Sequence, residues 1–481
     1  MHKLKELTVQ DQRRRRLGDR ILRRQSRGET VQFHVEPDKV RRVPPSPALL
    51  LIYGFLLLIL IGTILLCLPI ASRNGQFTSI ITALFTATSA VCVTGLVVVN
   101  TGEYWSYFGQ TVILVLIQLG GLGFMTGATV LFVLAGRRIT LQERMLLRTS
   151  VGGGSLGGID KLALRIVGLA LLLEGIGILI VFPRMLTYFD PLTAFWQSLF
   201  LTVSAFNNAG FDITTTGTSL VPYSQDPVIL LSVCVLVFLG AISYAVMRDI
   251  TTIRRFRGFT LDTKLVIVTT LSFVVIGTVV ILFSEFTNVG GMGGIGIGDR
   301  FAGSFFLSVA SRTAGFTIVD IGAMQDYTLF FLMVLMLVGG ASGSTAGGIK
   351  LNTFAVLGAS IIAVLRGRDK TEVFGREIPD DQVRRALTIG ALAIIWIHIT
   401  IIVLAAWEDF TLTEVFFEAV SAFSTNGLST GITGDLSSVS KLFLILTMFV
   451  GRLGPMTIVF ALVQRHNPAR YRRAQESVRI G

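Results

Sequence analysis

The hexapeptide VCVTGL at residues 91–96 ends a short apolar stretch and has three counterparts farther along the chain. These counterparts are FNNAGF at 206–211, SRTAGF at 311–316 and FSTNGL at 423–428. Each hexapeptide has glycine at its fifth position, an alanine five residues before that glycine and a phenylalanine ten residues before it. The glycines recur at intervals of 105–115 residues. Three matching columns at a near-constant period indicate a chain built from four repeats.

Apolar segments flank the hexapeptides in pairs, one before and one after each. A helix needs about 20 apolar residues to cross the hydrocarbon core of a bilayer. The chain of 481 residues is 52% hydrophobic and only 15% charged, with a mean hydropathy of +0.70. We therefore predict an all-α integral membrane protein. The predicted spans are about 48–70, 108–135, 161–183, 226–247, 261–284, 328–365, 386–407 and 440–463.

Basic residues follow every second predicted span, whereas the alternate connections are acidic or sparsely charged. By the positive-inside rule, both termini are cytoplasmic in a multi-pass protein of the plasma membrane, and each hexapeptide segment enters the bilayer from outside. The predicted organisation is a basic tail at 1–46, repeats at 47–136, 160–250, 261–366 and 383–465, and a C-terminal tail at 466–481.

The N-terminal tail holds 13 Lys or Arg against 6 Asp or Glu in residues 1–45. A membrane anchor follows directly, so we interpret the tail as a cytoplasmic segment that can contact anionic lipid. We expect no nucleic-acid partner.

The hexapeptides point to a shared axis. Irregular backbone at membrane depth is tolerated only where protein buries it or water reaches it. Glycine adopts positive φ freely, so consecutive carbonyls can turn toward a cation and replace its hydration shell. The alternative is that these glycines are helix-packing contacts. We predict four span–pore loop–span repeats around a single central pore, with eight spans and four re-entrant pore helices. The predicted ion-binding residues are Cys92, Val93, Thr94, Gly95, Asn207, Asn208, Ala209, Gly210, Arg312, Thr313, Ala314, Gly315, Ser424, Thr425, Asn426 and Gly427.

This pattern resembles the Trk/Ktr/HKT superfamily of potassium transporters, and the bacterial Ktr membrane subunit in particular. In that superfamily a filter glycine in all four repeats marks preference for potassium, and a serine in the first repeat marks preference for sodium. Gly95 therefore implies potassium as the transported ion. The resemblance also implies a homodimer on a ring of cytosolic nucleotide-binding regulatory subunits, and no covalent cofactor. A sodium-selective or sodium-coupled transporter of the same fold, such as a symporter, is the alternative.

The sixth predicted span contains five glycines within residues 339–348, and this stretch should divide the span into two half-helices. A phosphate-binding loop is an alternative, but Ile349 stands where that motif needs lysine, and no strand precedes it. The resemblance implies an intramembrane gate below the filter. The gate residues are Gly339, Gly340, Ser342, Gly343, Ser344, Thr345, Gly347, Gly348, Lys350 and Arg452.

Charged residues inside spans are functional candidates. The resemblance makes Arg452 a positive barrier near the gate, with a packing or interfacial arginine as the alternative. Lys350 is either an electrostatic element of the gate or an interfacial residue. We expect Arg312 and Glu418 to pair and stabilise the filter wall. Glu174 lies mid-span and needs a partner that the sequence does not identify.

Catalytic motifs do not stand out in this sequence. The four histidines form no HExxH motif, and no Gly-x-Ser-x-Gly motif is present. A polytopic membrane enzyme would need acidic or histidine clusters at an interface, and the acidic residues here are scattered. We therefore expect a transporter and not an enzyme.

Overall fold

The structure, a computed structural model, describes residues 47–123, 159–214, 219–288, 291 and 296–454. The predicted tails at 1–46 and 466–481 lie outside these ranges, as do the later parts of the predicted spans 108–135 and 440–463.

The described helices repeat in one order: a first helix, a short helix that ends in the hexapeptide, and a second helix. The first helices are α1 (Pro47–Cys67), α5 (Ile159–Met185), α9 (Leu261–Ser284) and α13 (Asp380–Trp407). The short helices are α2 (Ile80–Cys92), α6 (Pro191–Asn207), α10 (Ile297–Ala310) and α14 (Leu412–Ser424). The second helices are α4 (Tyr107–Gly121), α7 (Pro227–Ala241), α11 (Asp326–Leu337) and α15 (Ser438–Leu453).

Smaller elements connect these helices. The remaining helices are α3 (Thr101–Tyr104), α8 (Tyr244–Ile253) and α12 (Leu351–Leu365). Strands β1 (Glu372–Val373) and β2 (Arg376–Glu377) form an antiparallel hairpin in which Glu372 pairs with Glu377. Five 3₁₀ turns complete the described elements: Pro69–Ala71, Val221–Tyr223, Phe256–Gly258, Ile321–Ala323 and Ile432–Gly434.

Among the described residues, three helices are long and apolar enough to cross a membrane by themselves: Ala163–Met185 within α5, α9 and α13. Apolar side chains on them point outward, including Leu179 and Phe283, which are 74% and 75% exposed. Such exposure suits a lipid environment, because a water-soluble protein would bury these groups. The prediction of eight spans goes beyond these three helices and stays a prediction.

Two of the second helices are broken within the described residues, one more than the sequence indicated. The predicted division of 328–365 is present as α11, a connecting segment and α12. The predicted span at 226–247 is bent, because α7 and α8 meet at an angle of 98°. Ser243 starts the new helix by accepting a hydrogen bond from the Val246 N–H, so the break has its own N-cap.

Three of the four short helices have polar caps at their starts, whereas α10 begins at Gly296 without a side-chain cap. Ser79 and Asp190 cap α2 and α6, and Thr411 forms a capping box with Glu414 at the start of α14. The repeated alanines (Ala90, Ala205, Ala310 and Ala422) are buried in the core. The C-terminal ends of these helices are thereby directed into the protein interior.

Candidate ion pathway

The four hexapeptide glycines form a closed ring, which we call the glycine ring. A Cβ placed on Gly95 would lie 2.5 Å from the Ala209 carbonyl oxygen, and one on Gly210 would lie 2.7 Å from that of Ala314. A Cβ on Gly315 would come still closer to the Asn426 carbonyl oxygen. A Cβ on Gly427 would likewise come close to the Thr94 carbonyl oxygen, and this contact closes the cycle. Each glycine therefore faces the backbone of the next repeat, and no side chain fits between them.

The backbone of every strand in the ring turns in the same way. The four glycines have φ between +70° and +98°. Two residues earlier, Val93, Asn208, Thr313 and Thr425 also have positive φ, between +50° and +82°. Such conformations cost non-glycine residues roughly 1–3 kcal/mol each and persist where the surroundings impose them. Repetition of this strain in all four strands indicates a geometry that the site requires.

The amide groups of the strands bond back to the short helices. The Thr94 N–H donates to the Ser89 carbonyl at 2.8 Å, and the Gly95 N–H donates to the Ser89 hydroxyl at 3.1 Å. In the fourth repeat, the Asn426 N–H donates to the Ser421 carbonyl at 3.0 Å, and the Gly427 N–H donates to the Ser421 hydroxyl at 3.1 Å. The sequence analysis missed this serine column, although serine stands six residues before three of the four glycines.

The residues three positions before the glycines do not play one common role. Cys92 and Ser424 end their helices, and the Ser424 hydroxyl donates to its own helix at Val420. The Asn207 side chain turns away from the ring toward Gln118 and Glu174. The side chains at these positions of the first, second and fourth repeats are therefore engaged by their own helices or by neighbouring helices.

The predicted pair of Arg312 and Glu418 is wrong. Glu418 accepts hydrogen bonds from Ser429 and from Thr433, the latter at 3.1 Å, within its own repeat. Arg312 donates to the Thr270 carbonyl of α9 at 3.4 Å. Both side chains are buried, and each forms its hydrogen bonds with other neighbours. The adjacency of the two repeats in sequence was therefore not enough to identify the partner.

A cavity of about 540 Å³ lies directly beyond the ring, on the side to which the strands lead. All four glycines line it, together with Asp212 and Asp320 from the connections that follow. The carboxylates give this side of the ring a negative potential, which attracts cations.

The segment at 339–348, which we call the glycine-rich segment, lies on the opposite side of the ring. A Cβ on Gly347 would overlap the Thr425 hydroxyl, and one on Gly348 would lie 3.1 Å from the backbone of Ser424. Thr345 lies 2.8 Å from the side-chain amide of Asn208. The segment therefore contacts the beginnings of the second and fourth strands.

Backbone hydrogen bonds fold the glycine-rich segment into a compact loop. The Gly339 N–H donates to the Ile349 carbonyl at 2.8 Å, and the Leu351 N–H donates to the Gly340 carbonyl at 3.0 Å. The Ala341 N–H donates to the Ala241 carbonyl at the end of α7, at 2.9 Å. The Ser344 N–H donates to the Ala341 carbonyl at 3.1 Å, and the Thr345 N–H donates to the Gly240 carbonyl at 3.3 Å. The segment is therefore bonded both within itself and to the end of α7.

Two basic side chains contact this loop. Arg452 donates through Nη1 to the Thr345 carbonyl and through Nη2 to the Gly120 carbonyl, the second at 2.5 Å. The Lys350 ammonium turns back and donates to the Ala346 carbonyl. This contact places the Lys350 ammonium against the loop.

Glycines in three of the second helices were missed by the sequence analysis. A Cβ on Gly120, Gly240 or Gly451 would overlap the carbonyl of Val91, Phe206 or Phe423, respectively. Each carbonyl lies four residues before a ring glycine, so these helices pack directly on the ends of the short helices. A glycine 24–30 residues after each ring glycine was the available signal, and Gly339 is its counterpart in the third repeat.

Comparison with known proteins accounts for this architecture. The TrkH family, described as cation transport proteins, matches residues 33–472. The chain belongs to this family.

The chain matches individual relatives over almost their whole length. The chain is 39% identical to Ktr system potassium uptake protein B of Bacillus subtilis, over 88% of this chain and 94% of the relative. It is 37% identical to the potassium/sodium uptake protein NtpJ of Enterococcus hirae, over 91% of this chain and 97% of the relative. The crystal structure of the potassium transporter TrkH from Vibrio parahaemolyticus superposes with a TM-score of 0.65 at 18% identity, covering 88% of this chain and 86% of that one. This structural likeness supports the fold.

Proposed function

We propose that this family member carries potassium across the plasma membrane along the axis that the glycine ring encloses. The observation that carries the proposal is the closed cycle in which each ring glycine faces the carbonyl of the next repeat. Backbone carbonyls arranged around an axis replace the hydration shell of a cation, and dipoles of helices that end at the axis favour positive charge there. The relatives that match most of the chain are named as potassium uptake proteins.

Sodium is the second candidate ion, because one relative is named a potassium/sodium uptake protein. The test is uptake of radiolabelled rubidium, a potassium substitute, into vesicles that hold the purified protein alone. We expect uptake that unlabelled potassium suppresses at much lower concentration than sodium. Equal suppression by both ions would contradict potassium selectivity, and uptake that requires sodium would indicate coupling.

The glycine-rich segment is proposed as the gate. It lies against the strands on the side opposite the cavity, where a folded loop obstructs the path of an ion. A loop rich in glycine and small side chains can change between two arrangements that differ by only a few kcal/mol, a range that a regulatory partner can bias. Arg452 favours the folded arrangement through its bond to Thr345.

The proposed orientation places the cavity outside and the glycine-rich segment toward the cytoplasm. Cysteines introduced near Asp212 and Asp326 should react with an impermeant thiol reagent applied from outside. Cysteines near Arg255 and Arg376 should not react. The reverse labelling would invert the orientation of the protein.

Partners are proposed from the relatives, which are named as parts of a Ktr system. We propose a homodimer bound to cytosolic nucleotide-binding regulatory subunits. The docking surface that we propose is the connection between α12 and α13 together with the first turns of α13. It exposes Arg366, Arg368, Arg376, Arg384 and Arg385, of which Arg368 and Arg385 pair with Glu372 and Asp381. The mass of the detergent-solubilised protein, alone and with its regulatory subunit, tests both statements.

A further inference from the structure

Glu174 is a buried carboxylate in the middle of α5, with only 3% of its surface exposed. Both carboxylate oxygens accept hydrogen bonds from neutral amides. Gln118 Nε2 of α4 donates to Oε2 at 3.2 Å, and Asn207 Nδ2 of α6 donates to Oε1 at 3.2 Å. Carboxylates at membrane depth are costly, so their retention indicates a role in function.

The three side chains form a closed cycle, which we call the Glu174 cluster. Asn207 Nδ2 also donates to Gln118 Oε1 at 2.7 Å and to the Val203 carbonyl of its own helix at 2.9 Å, so its two hydrogens are shared among three acceptors. Gln118 therefore uses its oxygen toward Asn207 and its nitrogen toward Glu174. Position 174 accepts at both of its side-chain ends, which a glutamine cannot do because its amide nitrogen only donates.

The cluster is joined to the glycine ring through Asn207, which is the last residue of α6. The next residue, Asn208, has φ of +58° and begins the second strand. One residue later, the Ala209 carbonyl oxygen faces Gly95 across the ring. A Cβ on Gly121 of α4 would overlap Asn207 Oδ1, so Asn207 is confined between α4 and Glu174. Rotation of Asn207 would displace the Ala209 carbonyl.

The equivalent positions of the other repeats are held differently. The Ser424 hydroxyl bonds to its own helix, and Cys92 lies in an apolar cluster with Phe85 and Leu96. Arg312 reaches a backbone carbonyl of α9 at 3.4 Å. In the second repeat, a cycle of side chains links the end of the short helix to two neighbouring helices.

We propose that Glu174 is a positioning residue for ion selectivity. Through Gln118 and Asn207 it fixes the Ala209 carbonyl in the glycine ring, although it does not touch the ion. The inference rests on the proposed function, because it assigns a role in the selectivity of that same ring.

The test measures the ratio of sodium to potassium concentrations that halve rubidium uptake in vesicles. Glu174→Gln places an amide nitrogen against that of Gln118 or Asn207, so one hydrogen bond of the cycle is lost whichever way the new amide turns. We expect this variant to lower the ratio about fivefold, which is the scale of the net contribution of one ordinary hydrogen bond.

A charge exchange between two positions provides the decisive control. In Glu174→Gln combined with Gln118→Glu, the new amide at 174 accepts from Asn207 and donates to the new carboxylate at 118. That carboxylate also accepts from Asn207, so all three bonds and the net charge are restored. The ratio should return to within about twofold of its original value.

Glu285→Gln is the matched control for removing a buried charge. Glu285 is fully buried and accepts from Asn288, Thr328 and the Gln325 N–H, all outside the ring strands. We expect no change in the ratio. Gln118→Met retains the carboxylate and Asn207 and should lower the ratio about twofold. This variant replaces Glu174→Gln in the test if Glu174→Gln does not insert into the membrane.

An unchanged ratio in Glu174→Gln or, if that variant does not insert, in Gln118→Met would overturn the inference. An equal loss in Glu285→Gln, or a loss that the charge exchange does not restore, would show that Glu174 supports the fold only. If the unsubstituted protein shows no potassium-selective uptake, the proposed function itself fails, and the inference fails with it.

Discussion

In the glycine ring the four repeats have the same backbone conformation and the same contacts. In the layer of helix ends beneath the ring, the repeats differ from one another. In the ring, every glycine has positive φ and faces the carbonyl of the next repeat. In the layer beneath, α7 turns by 98° into α8, and α11 gives way to the glycine-rich segment. Arg452 at the end of α15 links that segment to Gly120 of α4.

The difference has a physical reason. An ion on the axis is spherical, so equal carbonyls from four sides solvate it best. A gate needs two arrangements of unequal stability, which requires contacts that differ from one side to another. We therefore expect substitutions in the ring to affect selectivity alike in all repeats, and substitutions beneath it to affect flux in a repeat-dependent way.

The largest expected effect follows substitution of a ring glycine. Gly315→Ala introduces a Cβ that overlaps the Asn426 carbonyl, in addition to backbone strain at φ of +71°. We expect the potassium preference in rubidium competition to fall about tenfold or more, equivalent to at least 1.4 kcal/mol. Gly95→Ser should act in the same direction.

The matched control is Gly375→Ala in the β1–β2 hairpin. Gly375 has φ of +72° but nothing within 4 Å of its Cβ position, so it carries the strain without the overlap. Selectivity should not change there. A ring glycine that tolerates alanine would break the symmetry that we assign to the ring.

The next effect concerns the gate. Deleting Ser342-Gly343-Ser344-Thr345 removes the carbonyl that Arg452 holds, and Arg452→Ala removes the donor. We expect both changes to raise rubidium flux through the protein alone, by about tenfold for the deletion, and to weaken dependence on a regulatory partner. Lys441→Ala is the control, because Lys441 also donates to a backbone carbonyl from α15 but at its other end. Unchanged or lower flux in inserted protein would make the segment a hinge or packing element.

A smaller effect is expected for Thr345→Val. The substitution keeps the shape of the side chain but removes the hydroxyl, which donates to the Gly240 carbonyl at 2.9 Å and contacts Asn208. Loss of one buried hydrogen bond should raise flux about threefold. Ser342→Ala should have no effect, since Ser342 is exposed and its bond to Asn352 uses the backbone N–H. Equal responses of the two variants would show that Thr345 has no special role.

The smallest effect is expected for Cys92→Ala. Cys92 is a free, buried thiol in an apolar cluster, and its position corresponds to that of Asn207 in the second repeat. Selectivity should change less than twofold, because the backbone at this position is unchanged and only a small cavity is created, at a cost of about 1 kcal/mol. A large selectivity change would mean that the first repeat also depends on its side chain here.

Several features could be predicted from local pattern. The glycine and alanine columns lie where the fourfold alignment put them, at the ring and in the core around it. The division of the sixth predicted span followed from five glycines in ten residues. The break between α7 and α8 was not predicted, because Gly240 and Ser243 are too few to mark it without knowledge of what α7 packs against.

Partners of buried charges could not be predicted. Arg312 and Glu418 lie in adjacent repeats, yet Glu418 bonds within its own repeat and Arg312 reaches α9. Glu174 bonds to residues 56 positions before it and 33 positions after it. Such pairings depend on which helix faces which, and periodicity carries no information about that.

The sequence by itself determined the membrane character of the chain, its fourfold repetition and the four glycines that a carbonyl-lined path requires. These follow from local chemistry: apolar length, and a backbone conformation that only glycine adopts without strain. The tertiary structure alone decided the cyclic order of the ring, the contact of Arg452 with Thr345 and the Glu174 cluster. Those features join residues far apart in the chain, and they exist only once helices from different repeats are packed together.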